Sequence, residues 1–364
     1  MQTPNLTIRA LRATPVAVPM ARPLGTSAQT IRSAPLLLID LETEQGITGR
    51  AYLFCYMAMA APMVARALDE MLGMIGGDPV APVELGAKLA QRFRLIGATG
   101  IISMALSGLD AACWDALAVA AGMPLADFLG GVLKPIPAYN SNGLGLMSPE
   151  ACADEAEELL EGGFRAVKLR LGYPTLAADL AGVRAVRKRL PDAVELMTDY
   201  NQALDLAEAL RRGRALDGEG LAWIEEPIRH DDYAGCARLA RELATPIQIG
   251  ENFAGPRAMS AALATEAADF MMPDLGRIGG VSGWQQAASL AATSGIKLSS
   301  HLFPEFSAHL LAVTPTCHWL EYVDWASPIL AEPLRVIDGH VTPSNRPGAG
   351  LSWNMDAVAR YRMV

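Results

Sequence analysis

Asp199, Glu225 and Glu251 follow one another at intervals of 26 residues, and each closes a short apolar run, VELMTD, LAWIEE and TPIQIGE. A strand, a helix and two loops consume roughly that length, so the spacing predicts one carboxylate per β/α unit, all three delivered to one rim of a parallel barrel. Hard oxygen donors converging on a point suit a divalent cation, Mg²⁺ before others. A single carboxylate at a loop start is more often a helix cap or a solvated residue. Three at matched strand ends make coincidence a poor account.

Lys168 and Arg170 flank Leu169 in FRAVKLRLG. Strand side chains alternate between faces, so both cations point the same way. Their neighbours Ala166, Val167, Leu169 and Leu171 mark a buried strand, where two unpaired cations are costly, so the pair needs an anionic partner. Asp274 and His301 end two later apolar runs and predict a carboxylate–imidazole dyad on adjacent strands, facing the cations across the metal. The chemistry implied is removal of a proton next to a carboxylate. A metal and hydrogen-bond donors would then hold the dianionic enediolate that is otherwise too unstable to form.

Residues 5–55 read as a strand meander with a Gly turn, and 59–129 read as helices with apolar positions three and four apart. After Pro135 the rhythm alternates. Ser148 with Pro149, Thr175, Asp231 with Asp232, and Ser282 open helices, and each helix is followed by an apolar run with a polar end. From Asp199 these ends fall at Glu225, Glu251, Asp274, His301 and Glu321, at gaps of 26, 26, 23, 27 and 20. The expected fold class is α/β: a modified TIM-type (β/α)7β barrel with an N-terminal α+β capping domain. Residues 1–130 form the cap, 131–332 the barrel, and 333–364 a segment returning to the cap.

A chain of 364 residues with 51% hydrophobic content can fill such a core. A net charge of −9 without a dense Lys/Arg block argues against nucleic acid and anionic membrane as partners and for a small molecule. Five scattered cysteines without a CxxC pair suggest buried thiols in the cytoplasm rather than disulfides or a thiolate metal site. No export signal or membrane span is expected, because a basic segment followed by a continuous apolar stretch is not read near the N-terminus and Arg66, Asp69 and Glu70 interrupt the Met-rich stretch at 57–75. GLGLMS lacks the full spacing of a nucleotide loop, and IGGVSG reads as a turn into a helix. His230, His309, His318 and His340 read as structural or surface residues.

The strings RAVKLRLGYP, DYNQALD, WIEEP, GENFAGP, MPDLGRIGGVSGW and SSHLFPEFSAHLLAVTPTCHWLE resemble the mandelate racemase subgroup of the enolase superfamily. VPMARPLGT, APLLLIDLET, AYLFCY and AACWDALA extend the likeness over nearly the whole chain. A Lys or His base beside Mg²⁺ is an established pattern of that superfamily, not one first met here. The resemblance implies Asp199, Glu225 and Glu251 as Mg²⁺ ligands, and His301 as the R-face base, oriented by Asp274. It implies Lys168 and Ser141 on the substrate carboxylate, Asn201 on the 2-hydroxyl, and Glu321 as a protonated acid bonded to the enediolate. It also implies a homo-oligomer, often an octamer. Arg277 stands where the family has Lys, without an assigned role. The absence of lysine from that segment argues against the muconate-lactonising type.

Arg170 is the departure, because the family places a second lysine there as the S-face base. Arginine starts about 2 to 3.5 pKa units above lysine, which makes its neutral form scarcer by about 3–5 kcal/mol. That corresponds to a penalty of about 10² to 10⁴ in the S-face step. Slow racemisation, one-face chemistry driven by His301, and dehydration of an acid sugar are the three consequences. In the last, His301 serves as base and acid and Arg170 as a charge clamp. The resemblance sets Leu24, Ala28 and Ile31, with Tyr56 and Leu95 nearby, around an apolar substituent. Arg22, Gln29 and Arg32 of the same loop could instead reach a polar chain. The expected function is Mg²⁺-dependent abstraction of the α-proton of a small 2-hydroxy carboxylate, with racemisation leading. Acid-sugar dehydration and a catalytically silent, metal-stabilised binding paralogue are the alternatives.

Overall fold

The structure is a computed structural model that describes residues 5–363. The first four residues and Val364, which the expected domain bounds include, lie outside the described residues. β1 (Ile8–Gly25), β2 (Thr30–Thr43) and β3 (Thr48–Phe54) form an antiparallel meander in which Leu38 pairs with Thr14 on one side and Tyr52 on the other. Helices α1 (Ala60–Ile75), α2 (Pro82–Phe93) and α3 (Gly100–Ala120) follow, then the single turn α4 (Leu125–Phe128). α3 is long and apolar enough by composition to cross a membrane, yet most of it is buried, packed on β3, α1 and the barrel. Its approach depends on Gly49 of β3, where an added Cβ would stand 2.1 Å from the Ala112 carbonyl oxygen.

The alternation then begins with β4 (Ile136–Asn140), α5 (Pro149–Glu158), β5 (Ala166–Arg170), α6 (Leu176–Arg189), β6 (Glu195–Asp199), α7 (Leu206–Leu216) and β7 (Trp223–Glu225). It continues through α8 (Tyr233–Glu242), β8 (Ile247–Ile249), α9 (Pro256–Ala264), β9 (Phe270–Met271), α10 (Leu275–Ile278) and α11 (Gly280–Ser294). β10 (Lys297–Leu298), α12 (Pro304–Ala312) and β11 (Leu320–Tyr322) complete it. Strands β4 to β10 pair in order and in parallel, and β11 pairs in parallel with β4. The Ser300 amide donates to the Trp319 carbonyl, which joins the β10 side to the approach to β11 and closes the ring. The fold is therefore α/β, a modified TIM-type barrel core with a β-plus-α capping region, as the rhythm predicts.

The side chains of Ser148, Thr175, Asp205 and Asp232 each accept the amide three residues on, fixing where α5, α6, α7 and α8 start. The expected start at Ser282 is corrected. α11 begins at Gly280, after Gly279 at φ 102°, and Ser282 Oγ donates instead to Asp110 of α3 at 2.5 Å. A hydroxyl held by a helix of the capping region is not free to cap its own. β12 (Val336–Ile337) and β13 (His340–Val341) form a hairpin whose second strand runs antiparallel to β4. From the last helix, α13 (Met355–Tyr361), the chain returns to β1, where Arg362 bridges Val16.

His309 of α12 is fully buried, and its Nδ1 accepts the Ala126 amide of α4 at 3.1 Å. Burial holds its pKa down at about 4, against a weaker upward pull from the Ala349 backbone. A depressed histidine contributes full stability above its unfolded pKa and loses it as pH falls, because the unfolded chain takes the proton first. Between pH 7.5 and 5 wild type should lose about 2 kcal/mol more than His309→Gln. Urea unfolding of both proteins at the two pH values measures this, and parallel losses would refute it.

Candidate active site

In-register pairing across β5, β6 and β7 sets Arg170 beside Asp199 and Asp199 beside Glu225, at the strand ends where barrel sites form. Glu251 lies just past β8, after Gly250, whose φ of 141° and lack of a Cβ let the chain turn against Met272. The three carboxylates each bring an oxygen within 4.8 Å of the others, at relative exposures of 1%, 0% and 8%. Burial pushes Glu225 up to about 8, with Asp199 adding to the shift and Lys168 opposing it. Like charges held this close and this dry call for a divalent cation, and an all-oxygen donor set fits Mg²⁺.

Lys168 Nζ lies 2.6 Å from Glu225 Oε1, 2.8 Å from Glu321 Oε1 and 3.5 Å from Asp199 Oδ2. Burial alone would lower its pKa, but these carboxylates hold it well above the ordinary lysine value. The anionic partners expected for the two cations fall to Lys168, and among the described residues no carboxylate lies within 4.0 Å of Arg170. Its Nη1 donates to the carbonyls of Ser141, Gly143 and Lys168 at 2.9, 3.1 and 3.3 Å, and its Nη2 to Ser141 Oγ at 2.9 Å. Carbonyl dipoles of the loop after β4 solvate this cation where an anion was expected. A guanidinium so held donates to four acceptors at once.

His301 Nδ1 pairs with Asp274 Oδ2 at 2.6 Å, and the two residues form an isolated parallel bridge beyond β9 and β10. His301 Nε2 stands 3.3 Å from Glu251 Oε2 and 3.8 Å from Glu321 Oε2. Burial lowers the imidazole pKa, but Glu251, Glu321 and Asp274 together raise it to about 10. A cation held by the triad would offset the pull of Glu251 on this imidazole.

Glu321 accepts Ser141 Oγ at 2.7 Å and the Leu302 amide at 2.8 Å. Burial pushes its carboxyl up, but Lys168 and His301 outweigh burial and hold it below the usual range. Lys168 and His301 thus stand beside the carboxyl for which a neutral acid was expected. Asn201 fastens Asp199, donating from its amide at 2.8 Å and from Nδ2 at 3.0 Å. Its Oδ1 is buried and has no hydrogen-bond partner among the described residues.

Lys168, Arg170, Asp199, Asn201, Glu251, His301 and Glu321 line a cavity of about 200 Å³ with Leu24, Ala28, Ile31 and Tyr56 on its apolar side, whereas Ser141, Glu225 and Asp274 do not line it. Leu95 is not part of it, being 90% exposed on the loop after α2. Arg22 is tied to Glu155 and Glu158, and Arg32 does not line the cavity, whereas Gln29 does. Arg277 lines it too, its guanidinium 4.3 Å over the Tyr56 ring and bonded to Asn252. Sequence reasoning missed Asn252, Phe54 and Trp325. Asn252 follows a metal ligand directly and could have been read from that position, but Trp325 carried no signal. Left-handed φ angles at the non-glycine residues Tyr56, Asn201, Gln202, Glu226, Leu302 and Phe303 concentrate strain around this rim.

Residues 8–130 match the mandelate racemase / muconate lactonizing enzyme N-terminal domain, and residues 151–357 match the enolase C-terminal domain-like family. The chain is 32% identical to the L-talarate/galactarate dehydratase of Salmonella typhimurium, covering 94% of this chain and 87% of that one. Among solved structures it resembles an enolase from alpha pretobacterium bal199 with bound magnesium, at 47% identity and a TM-score of 0.96 over 98% of this chain and all of that one. It also resembles an enolase from Bradyrhizobium complexed with magnesium and mandelic acid, at 43% identity and a TM-score of 0.95 over the full length of both. With a buried three-carboxylate site at the end of an enolase-type barrel, this chain is a Mg²⁺-binding enzyme of the enolase superfamily and belongs to its mandelate racemase / muconate lactonizing family.

Proposed function

We propose that this enzyme dehydrates a 2,3-dihydroxy carboxylate of the acid-sugar class, with His301 acting on one face of the substrate. The observation that carries the proposal is the cradle of Arg170: four acceptors fix its guanidinium, so the wall opposite His301 offers charge but no base. His301 Nε2 takes the proton from C2, and the electron pair passes into the carboxylate to give the enediolate. The same nitrogen then returns the proton to the 3-hydroxyl, the C3–O bond breaks, water leaves, and the enol becomes a 2-keto-3-deoxy acid. Lys168 and Arg170 face the substrate carboxylate, and Glu321 lies beside the site where the extra charge develops. Mg²⁺ supplies the positive charge that makes the dianion accessible. Gln29, Asn252 and Arg277 give a hydroxylated chain polar partners, and the dehydratase among the relatives supports the same reading.

A second reading, proton exchange on an aryl 2-hydroxy acid, is favoured by the wall of Leu24, Ile31 and Phe54 and by the relative solved with mandelic acid. In either case exchange should be one-faced. Incubated with Mg²⁺ in D₂O, galactarate should yield a 2-keto-3-deoxy acid, and of the two mandelates only one should take up deuterium at C2. NMR follows both reactions. Exchange of both mandelates with interconversion would make Arg170 a working base and overturn the proposal.

A further inference from the structure

We propose that Tyr52 and Glu305 form a brace between the N-terminal sheet and the barrel that positions His301, which makes both of them positioning residues for the proton transfer. This inference rests on the reading of His301 as the base. Leu302 and Phe303, directly after His301, adopt left-handed φ of 52° and 49° in succession, a conformation that two bulky residues hold only under external constraint. Three restraints come from the barrel side. The Leu302 amide donates to Glu321 Oε2 at 2.8 Å, Ser307 Oγ donates to the Leu302 carbonyl at 2.8 Å, and α12 starts at Pro304.

The remaining restraint comes from outside the barrel. Tyr52 of β3 lays its ring 5.3 Å from that of Phe303, and its hydroxyl donates to Glu305 Oε2 at 2.5 Å. Both residues are buried, at 4% and 5% relative exposure, so neither bond partner has water as a substitute. Tyr52 thus grips the turn twice, through its ring at Phe303 and through its hydroxyl at Glu305. Without the hydroxyl, Phe303 can relax toward ordinary backbone angles and draw His301 off Asp274. A misplacement of about 1 Å in a reacting group costs about 10²-fold in rate. Asp199, Glu225 and Glu251 lie on other strand ends and touch neither residue of the brace, so metal binding should not follow the turn.

The test uses the Mg²⁺-loaded enzyme and the variants Tyr52→Phe, Glu305→Ala, Glu305→Gln and His301→Asn. Amide hydrogen exchange in residues 299–307 reads the turn itself. Whichever of galactarate and mandelate wild type exchanges gives kcat and KM, and Mg²⁺ titration gives metal affinity. Tyr52→Phe and Glu305→Ala should speed amide exchange in 299–307 alone and lower kcat by about 10- to 10²-fold. KM and Mg²⁺ affinity should stay within about two-fold. Glu305→Gln should restore both turn and rate, because its amide oxygen still accepts the Tyr52 hydroxyl. The brace is overturned if Tyr52→Phe keeps wild-type protection in 299–307, or if protection and Mg²⁺ affinity fall while KM rises, as in general destabilisation. Should Tyr52→Phe not fold, the Glu305→Ala and Glu305→Gln pair carries the same comparison. Wild-type rates in His301→Asn would end the reading of His301 as base, while amide exchange in 299–307 would still decide the brace.

Discussion

His301→Asn should lower α-proton abstraction by about 10³- to 10⁴-fold, the upper part of the range for loss of a positioned base. That equals about 4–5.5 kcal/mol of barrier. The size follows from the lack of a substitute. Lys168 lies within 3.5 Å of three carboxylates and stays protonated, and Arg170 spends its guanidinium on carbonyls. With Nδ1 tied to Asp274, Nε2 is the nitrogen of His301 left to face the cavity, and in the neutral imidazole it carries the lone pair. Asparagine can still donate to Asp274, so the turn and the metal site should remain. The check is deuterium uptake at C2 together with Mg²⁺-dependent thermal stabilisation. Uptake above a tenth of wild type, with stabilisation unchanged, would remove His301 from its role. Asp274→Asn should fall in the same direction by a smaller factor, because it leaves the imidazole in place but frees its orientation and tautomer.

The barrel and its strand-end carboxylates were legible because they rest on local rules. A period of two fixes which face a strand side chain takes, side-chain caps fix where helices begin, and a repeating unit length returns Asp199, Glu225 and Glu251 to one rim. The pairing of Asp274 with His301 followed from the same counting. What the sequence hid are interactions made by backbone atoms or by residues far apart in the chain. The partners of Arg170 are mostly carbonyl oxygens, which every residue carries and no residue type advertises. The Tyr52–Glu305 bond joins positions 253 residues apart, and nothing in either local string points to the other. Glu321 takes its partners from Lys168 of β5 and from His301 and Leu302 beyond β10, which no local string announces. Ser282 looked like a cap because its residue type is right, but Asp110 of α3 competes for the hydroxyl and wins it.

Glu225→Gln should separate the metal's role from the fold's, because its effects have opposite signs with and without Mg²⁺. Glu225 is fully buried, and burial with its acidic neighbours pushes its carboxyl up to about 8. A carboxylate with a raised folded pKa contributes most at low pH and loses that contribution as pH rises from its unfolded value through the folded one. Free of Mg²⁺, wild type should therefore weaken between about pH 4.5 and 8 by on the order of 2–4 kcal/mol from this group alone. The neutral amide has no such dependence, so the metal-free variant should be the more stable protein at pH 8. Mg²⁺ reverses the order. Its binding needs the ionised carboxylates, so wild type gains about 2.7 kcal/mol at a hundred times its dissociation constant. The variant gains little and loses α-proton exchange, as wild type does on chelation with EDTA. Thermal unfolding at pH 5 and pH 8, each with and without Mg²⁺, resolves all four states. If Glu225→Gln is less stable than wild type in both metal-free and Mg²⁺ conditions at pH 8, Glu225 supports the fold through Lys168 rather than holding the cation.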